Sequence, residues 1–271
     1  MKLVDIAVNL TSPAFNEDRA EVLARARAAG VSALVITGSS LGDSAQAISL
    51  AQENDGCLAT AGVHPHNAKG WDTETSPERL RELASGQTHS GKVVAIGECG
   101  LDYNRNFSPQ DVQRECFGDQ LDIATRLGKP VFLHERDAFD DFIHILKKYR
   151  ANLPGAVVHC FTAGEKELES YLALDCYIGI TGWVCDERRG KHLIPLVKKI
   201  PADRLLLETD APYLLPRNLP KALRGKSGRN EPSLLPHIAT FVAEITGKTV
   251  EQLAAETSAN ATRLFNLPQA T

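Results

Sequence analysis

Five short segments of this 271-residue chain bring together imidazoles and carboxylates, the side chains that hold divalent metal ions. They are Gly62-Val63-His64-Pro65-His66, Gly97-Glu98-Cys99-Gly100-Leu101-Asp102, His134-Glu135-Arg136-Asp137, His159-Cys160-Phe161 and Glu208-Thr209-Asp210-Ala211-Pro212-Tyr213. Each follows a short apolar run. Taken singly they mean little. A histidine after a strand is more often a satisfied polar group than a ligand, and a buried glutamate more often pairs with an arginine than with a metal. The recurrence of the pattern at several strand ends favours the metal reading. Two histidines and two acids around one centre (Glu98, His134, His159 and Asp210) make a plausible divalent-metal site. A metal there would polarise a phosphoryl oxygen and acidify a bound water.

The elements that must position these residues can be read from the same sequence. Eight short apolar runs occur at 3–8, 33–37, 57–62, 93–97, 130–133, 156–158, 176–180 and 204–207. Helix-like stretches separate them, for example 17–29, 44–53, 76–84, 109–127 and 138–150. Ser76-Pro77-Glu78 and Ser108-Pro109-Gln110 place a proline at the expected first helical position, and Gly30 and Gly128 mark helix ends. Strands without apolar–polar alternation, each followed by a helix, imply a parallel sheet covered on both faces. Eight units point to a closed (β/α)8 barrel, an α/β fold of one domain spanning 1–271. The doubly wound alternative is weaker, because no Gly-x-Gly-x-x-Gly follows the first strand. The tail 234–264 reads as one or two extra helices packed outside the barrel. In such a barrel the active site lies at the C-terminal ends of the strands, where the five segments fall.

Composition narrows the function classes. A net charge of −4 argues against a protein that coats nucleic acid through bulk charge, and no apolar run reaches the ~20 residues a membrane span requires. Six cysteines are scattered without a Cys-x-x-Cys pair, so a reducing cytoplasm is expected. A monomer is expected as well. Cys99 and Cys160 follow proposed ligands directly, and strand alternation would turn both away from the metal.

Around the metal residues lie candidates for holding an anionic substrate. Arg105 and Arg136 sit beside proposed ligands. Arg188, Arg189 and Lys191 follow the seventh run, and residues 217–229 carry Arg217, Lys221, Arg224, Lys226 and Arg229 with no acid. Such groups contact phosphates, although a charge run is more often a solvated face. Tyr103, Phe107, Trp183 and Tyr213 also follow strand ends, where aromatics stack on unpaired bases; core packing is the alternative, equally weighted for Phe107. His64 and His66 flank a proline, one to act on substrate and the other to cap structure. Asp102 is either an orienting acid behind a ligand or a loop residue. His89, His144 and His192 read as solvent-facing.

Together, Val-His-Pro-His, Gly-Glu-Cys-Gly-Leu-Asp, Leu-His-x-Arg-Asp, His-Cys-Phe-Thr and Glu-Thr-Asp-Ala-Pro-Tyr resemble the TatD family of deoxyribonucleases, within the wider metal-dependent hydrolases. The similarity runs essentially end to end. Asn9-Leu10-Thr11, Asn104-Arg105-Asn106-Phe107 and the segment from Gly182 to Gly190 resemble the bacterial branch most. The resemblance implies a TIM barrel, a divalent metal (Mg²⁺ first, with Mn²⁺ or Zn²⁺ as alternatives) and 3′-to-5′ exonuclease action on the ends of single-stranded DNA or RNA. It also suggests a place in DNA repair or in clearing fragmented DNA. It implies Glu98, His134, His159 and Asp210 as metal ligands, with Asp210 as general base and Glu98 and His64 completing the catalytic set. Asn9, His66, Tyr103, Arg105, Arg136 and Arg188 are the expected substrate contacts. Most members carry His-x-His near the end of the first strand; here Ala7 and Asn9 hold those places. Ala7 cannot ligate, and Asn9 offers an amide to a cation or a phosphate. An aminoacyl-tRNA deacylase on the same scaffold is the rival enzyme, and a non-catalytic nucleic-acid binder the rival from another class.

Overall fold

The computed structural model describes residues 1–85, 91–223 and 228–267. Eight parallel strands form one sheet in sequence order: β1 Leu3–Val8, β2 Val31–Ile36, β3 Cys57–Ala61, β4 Val93–Asp102, β5 Val131–Arg136, β6 Ala156–Val158, β7 Tyr177–Ile180 and β8 Leu205–Leu207. Helices alternate with them: α1 Arg19–Ala28, α2 Leu41–Glu53, α3 Ser76–Ala84, α4 Gln110–Leu127, α5 Phe139–Tyr149, α6 Glu165–Ala173, α7 Leu193–Val197 and α8 Leu235–Thr246, with α9 Val250–Phe265 at the end. The apolar runs of the sequence fall on the eight strands, because the strands are largely buried on both faces and most of their residues are apolar. Two strands run further than expected. β4 continues to Asp102 and β5 to Arg136, so Glu98, Asp102, His134 and Arg136 stand on the sheet itself and not beyond it. Pro77 lies in the first turn of α3, whereas Pro109 is the residue preceding α4.

The barrel closes between β8 and β1 by a mixed seam. Asp210 N–H donates to the Ala7 carbonyl at 2.9 Å, and Asn9 N–H to the Ala211 carbonyl at 2.8 Å. Below these bonds, the fully buried Asp5 carboxylate accepts from Thr209 N–H at 2.9 Å and from Thr209 Oγ1 at 2.6 Å. A side chain thus completes a ladder that the three residues of β8 are too short to make alone.

A bulge in β4 sets up the site. Ile96 pairs with Val131 and Cys99 with Leu133, so three steps on β4 match two on β5, and one residue is extra. The bulge falls at Gly97-Glu98. Gly97 has φ +140°, and a Cβ there would lie 2.1 Å from the Phe132 carbonyl oxygen. Gly100 has φ +147°, and its Cβ would lie 1.8 Å from the His134 carbonyl. Only glycine fits either place. The two glycines let β4 and β5 touch while aiming Glu98 into the barrel mouth.

The terminal helices differ from expectation. α8 and most of α9 pack outside, but Leu264 and Phe265 at the end of α9, with Leu267 beyond it, join Val4, Ile6, Phe132, Val157 and Leu206 in the inner cluster. Asn260 Nδ2 ties α9 to the Ala202 and Leu205 carbonyls. The chain therefore stoppers the barrel at the end remote from the ligand-bearing strand ends. All six cysteines are free and five are buried. Among the described residues no helix is long and apolar enough to cross a membrane.

Burial pushes the Asp5 carboxyl up to about 8 against the hydrogen bonds from Thr209 and Ala7. Between the ordinary carboxylate range, about 4, and about pH 8 the folded chain then holds a proton that the unfolded chain has released. Asp5 accordingly contributes stability that is full below about pH 4 and is lost as pH rises through about 8. Denaturant titrations should show the free-energy difference between Asp5→Asn and the parent moving in the variant's favour across that window. A constant difference would contradict a buried, protonated Asp5.

Candidate metal centre and substrate cleft

A cleft of about 840 Å³ opens over the C-terminal ends of the strands. It collects Asn9 from the end of β1, His64 and His66 after β3, Glu98 and Asp102 from β4, His134 and Arg136 from β5, His159 after β6, and Asp210 after β8. All four expected metal ligands thus share one cavity. Cys160 lines it too, contrary to the alternation argument. β6 ends at Val158, and Cys160 takes a left-handed φ of +48°, so neighbouring side chains no longer point opposite ways. Cys99, still on its strand, is fully buried as expected.

Glu98 is the hub. Its Oε1 lies 2.7 Å from His159 Nε2, 2.9 Å from His134 Nδ1 and 3.3 Å from His64 Nε2. Burial would raise the pKa of this carboxyl, but the three imidazoles outweigh it and hold it well below the usual carboxylate range. Burial pulls His134 and His159 down, yet the facing carboxylates win and both rise. One oxygen cannot accept hydrogen bonds from three ring nitrogens in good geometry. Convergence of this kind is what a ligand set looks like around the place a cation would take.

The three imidazoles are not equivalent. His64, Glu98 and His134 offer ligand atoms within 4.8 Å of one another, but His64 Nδ1 already accepts the His66 N–H at 3.1 Å. A neutral His64 must then carry its proton on Nε2, the atom facing Glu98. A protonated nitrogen cannot ligate, so His64 enters the site as a donor. Burial, opposed by Glu98, brings its pKa down to about 4, which keeps the ring neutral at physiological pH.

His134 and His159 have the opposite arrangement. Each turns one nitrogen to Glu98 and the other to a buried carboxylate behind it. His134 Nε2 is 3.5 Å from Asp102 Oδ2, and His159 Nδ1 is 3.6 Å from Glu208 Oε2. Both rear nitrogens and Glu208 Oε2 are buried without a hydrogen bond. A carboxylate behind a histidine fixes the tautomer that presents a bare nitrogen to a metal. The donor set of Glu98, His134 and His159 therefore fits a divalent cation, and the unsatisfied rear atoms fit it as well. Asp102 is buried on β4, so of its two readings the structure supports the orienting one. Its other oxygen accepts from Asn104 N–H and Arg105 N–H at 3.0 and 2.8 Å. Glu208 went unassigned in the sequence. Its signal was an acid placed directly after the all-apolar β8, and its Oε1 accepts the Cys160 N–H.

A family model for TatD-related DNases matches residues 4–266. The chain belongs to the TatD-related DNase family. It is 55% identical over 263 residues, 97% of each chain, to a Cronobacter sakazakii protein named 3′–5′ ssDNA/RNA exonuclease TatD. An Erwinia tasmaniensis protein of the same name is 54% identical, covering 98% of this chain and all of the relative. Among solved structures, a TatD homologue from Escherichia coli superposes with a TM-score of 0.88 at 28% identity over 98% of both chains. The architecture expected from the resemblance is thus the one found.

Ala7 and Asn9 hold the two first-strand places where the resemblance implied histidines. Ala7 is fully buried. Asn9 Nδ2 donates to Asp210 Oδ1 at 2.8 Å, so Asn9 fixes the orientation of the last acid. Burial pushes Asp210 up to about 7, with His159 opposing and Glu98 and Glu208 adding to the rise. Of the expected substrate contacts, Asn9, His66, Arg105 and Arg136 line the cleft. The side chains of Arg105 and Arg136 are exposed and meet no acceptor among the described residues. His66 is held by Asp102 Oδ2 at 2.7 Å, and its ring meets Phe107 edge-on at 4.8 Å. Two expected contacts do not line the cleft. Tyr103 turns its hydroxyl to Asp141 at 2.7 Å and lines a neighbouring groove. Arg188 has its Nε 4.0 Å from Asp186 Oδ1, and it is its neighbour Arg189 that lines the cleft. Phe107 is 57% exposed, which decides its two readings against core packing. Lys69 also lines the cleft, a position sequence gave no reason to choose. His144 and His192 are exposed as expected. His89, Arg224 and Lys226 lie outside the described residues.

Imidazole ¹⁵N spectra should show His64 neutral and protonated on Nε2 from about pH 5 to about pH 8. A ring that is charged, or protonated on Nδ1, in that range would remove His64 as the cleft's fixed donor.

Proposed function

We propose that the chain is a metal-dependent exonuclease that removes nucleotides stepwise from the 3′ end of single-stranded DNA or RNA. The observation that carries this reading is Glu98 with two imidazoles, each backed by a buried carboxylate, at the floor of a cleft whose rim presents Arg105 and Arg136 unpaired. The names of its 54–55% identical relatives support the substrate and the polarity.

Glu98, His134, His159 and Asp210 would hold the cation. Two carboxylates with two imidazoles suit Mg²⁺ or Mn²⁺, and Zn²⁺ is accommodated by the histidines. Bound there, such a cation supplies the charge that polarises a phosphoryl oxygen and makes a nearby water more acidic. The remaining work falls to the chain. Asp210, kept in one orientation by Asn9, has a carboxyl raised towards neutrality, which suits it to take the proton of the attacking water. His64 presents its Nε2–H to the same centre and stays neutral, so it donates a hydrogen bond to a phosphoryl oxygen, while the proton that Asp210 takes from the water goes to the leaving oxygen as the P–O bond breaks. Arg105 and Arg136 fix the anion as it enters. The exposed face of Phe107 offers a surface to an unpaired base, which a duplex would keep stacked away.

Activity on linear single strands should vanish with chelator and return with Mg²⁺ or Mn²⁺, and products should shorten from the 3′ side. Covalently closed single-stranded circles should resist. Full activity in chelator-treated protein, or rapid cutting of circles, would overturn the reading.

A further inference from the structure

The loop after β7 carries a rigid cationic station that the chemistry above leaves unused. The Arg189 guanidinium lies over the Trp183 ring, 4.3 Å from its centroid. Its Nε is held by Asp186 Oδ2 at 2.9 Å. Asp186 is buried, and its Oδ1 accepts the N–H groups of Arg188 and Arg189 at 2.9 and 3.1 Å. Gly190 closes the turn so tightly that a Cβ there would sit 2.2 Å from the Trp183 carbonyl oxygen. Arginine side chains carry much rotamer freedom, and here most of it is already spent. Ring and side-chain anchor leave the two Nη groups without an acceptor among the described residues, on a side chain that is 59% exposed and lines the cleft. Trp183 lines the same wall, and Tyr213, 58% exposed, follows β8 beside it.

Charge on the neighbouring rim gives the station a direction. The adjoining groove, between the ends of β5 and β6, holds Glu135, Asp137, Asp140, Asp141 and Glu167 against one lysine. Those carboxylates disfavour an anionic strand in that groove, whereas the β7 side offers the Arg189 cation.

We infer that Arg189, held on Trp183 by Asp186, is a phosphate subsite for a nucleotide adjoining the scissile bond of an unpaired strand. The inference rests on the nuclease reading and deepens it. The planar fork with a free outer edge matches a phosphodiester oxygen pair. A phosphate held by a preorganised charge releases counterions, so its loss shows in the salt dependence of binding: each contact adds about 0.7 to the slope of log affinity against log salt for a single strand.

The test is fluorescence anisotropy of a labelled short oligothymidylate, in chelator so that no bond is cut, across a salt series. Arg189→Gln should weaken binding about tenfold and flatten the slope by about 0.7. Arg189→Lys keeps the charge and should keep the slope while binding more weakly than the parent, a rescue that a merely structural arginine would not give. Arg189→Gln with parental affinity and slope overturns the inference, and so does a parent protein with no salt-dependent binding. A parent that binds the strand but does not shorten it with Mg²⁺ or Mn²⁺ fails the nuclease reading and leaves the subsite standing.

Discussion

An ionised carboxylate buried at a barrel mouth must be compensated, and Glu98 is that carboxylate. Desolvating such a charge costs several kcal/mol even after the surroundings relax. The bulge at Gly97-Glu98 and the left-handed glycines exist to place it, since no other residue lets β4 approach β5 so closely. His134 and His159 are then ordered by Glu98 in front and by Asp102 and Glu208 behind. The facing carboxylates shift His134 and His159 towards their protonated forms. A cation would compete with those protons for the same ring nitrogens, which couples metal affinity to pH.

The end of β1 serves the same centre without a ligand of its own. With Ala7 buried and Asn9 bonded to Asp210, the β1 end contributes orientation. The β8–β1 seam therefore has two tasks. Asp5 and Thr209 close the barrel below, and Asn9 sets the angle of Asp210 above. A short β8 makes both possible, because its last residues leave the ladder early enough for side chains to replace it.

Much of this was legible in the sequence. Strands covered on both faces read as apolar runs, and the barrel rule then assigns whatever follows each run to one rim. That rule alone brings Glu98, His134, His159 and Asp210 together on one rim. What differed did so partly for local and partly for long-range reasons. Cys160 breaks strand alternation by its left-handed backbone. Arg188 and Arg189 are indistinguishable in sequence, and in the Asp186 turn it is Arg189 that lies over Trp183 and lines the cleft. Tyr103 follows the right strand but is claimed by Asp141. Glu208 and Asp5 act through partners 49 and 204 residues away, His159 and Thr209, and no spacing within one segment could announce them. The end of α9 enters the barrel floor through a long-range fit that its helical periodicity does not encode.

The claim that everything turns on the Glu98 charge has a direct test in Glu98→Gln, which keeps shape and removes the anion. Isothermal titration of Mn²⁺ into parent and variant, beside exonuclease kinetics on the same preparations, reads both consequences. Changing groups behind the ligands typically costs about 10–100-fold in metal affinity or activity, so the loss at Glu98 itself should exceed that range in both measurements while the melting profile remains cooperative. A folded Glu98→Gln protein that binds Mn²⁺ and turns over single strands like the parent would contradict the account.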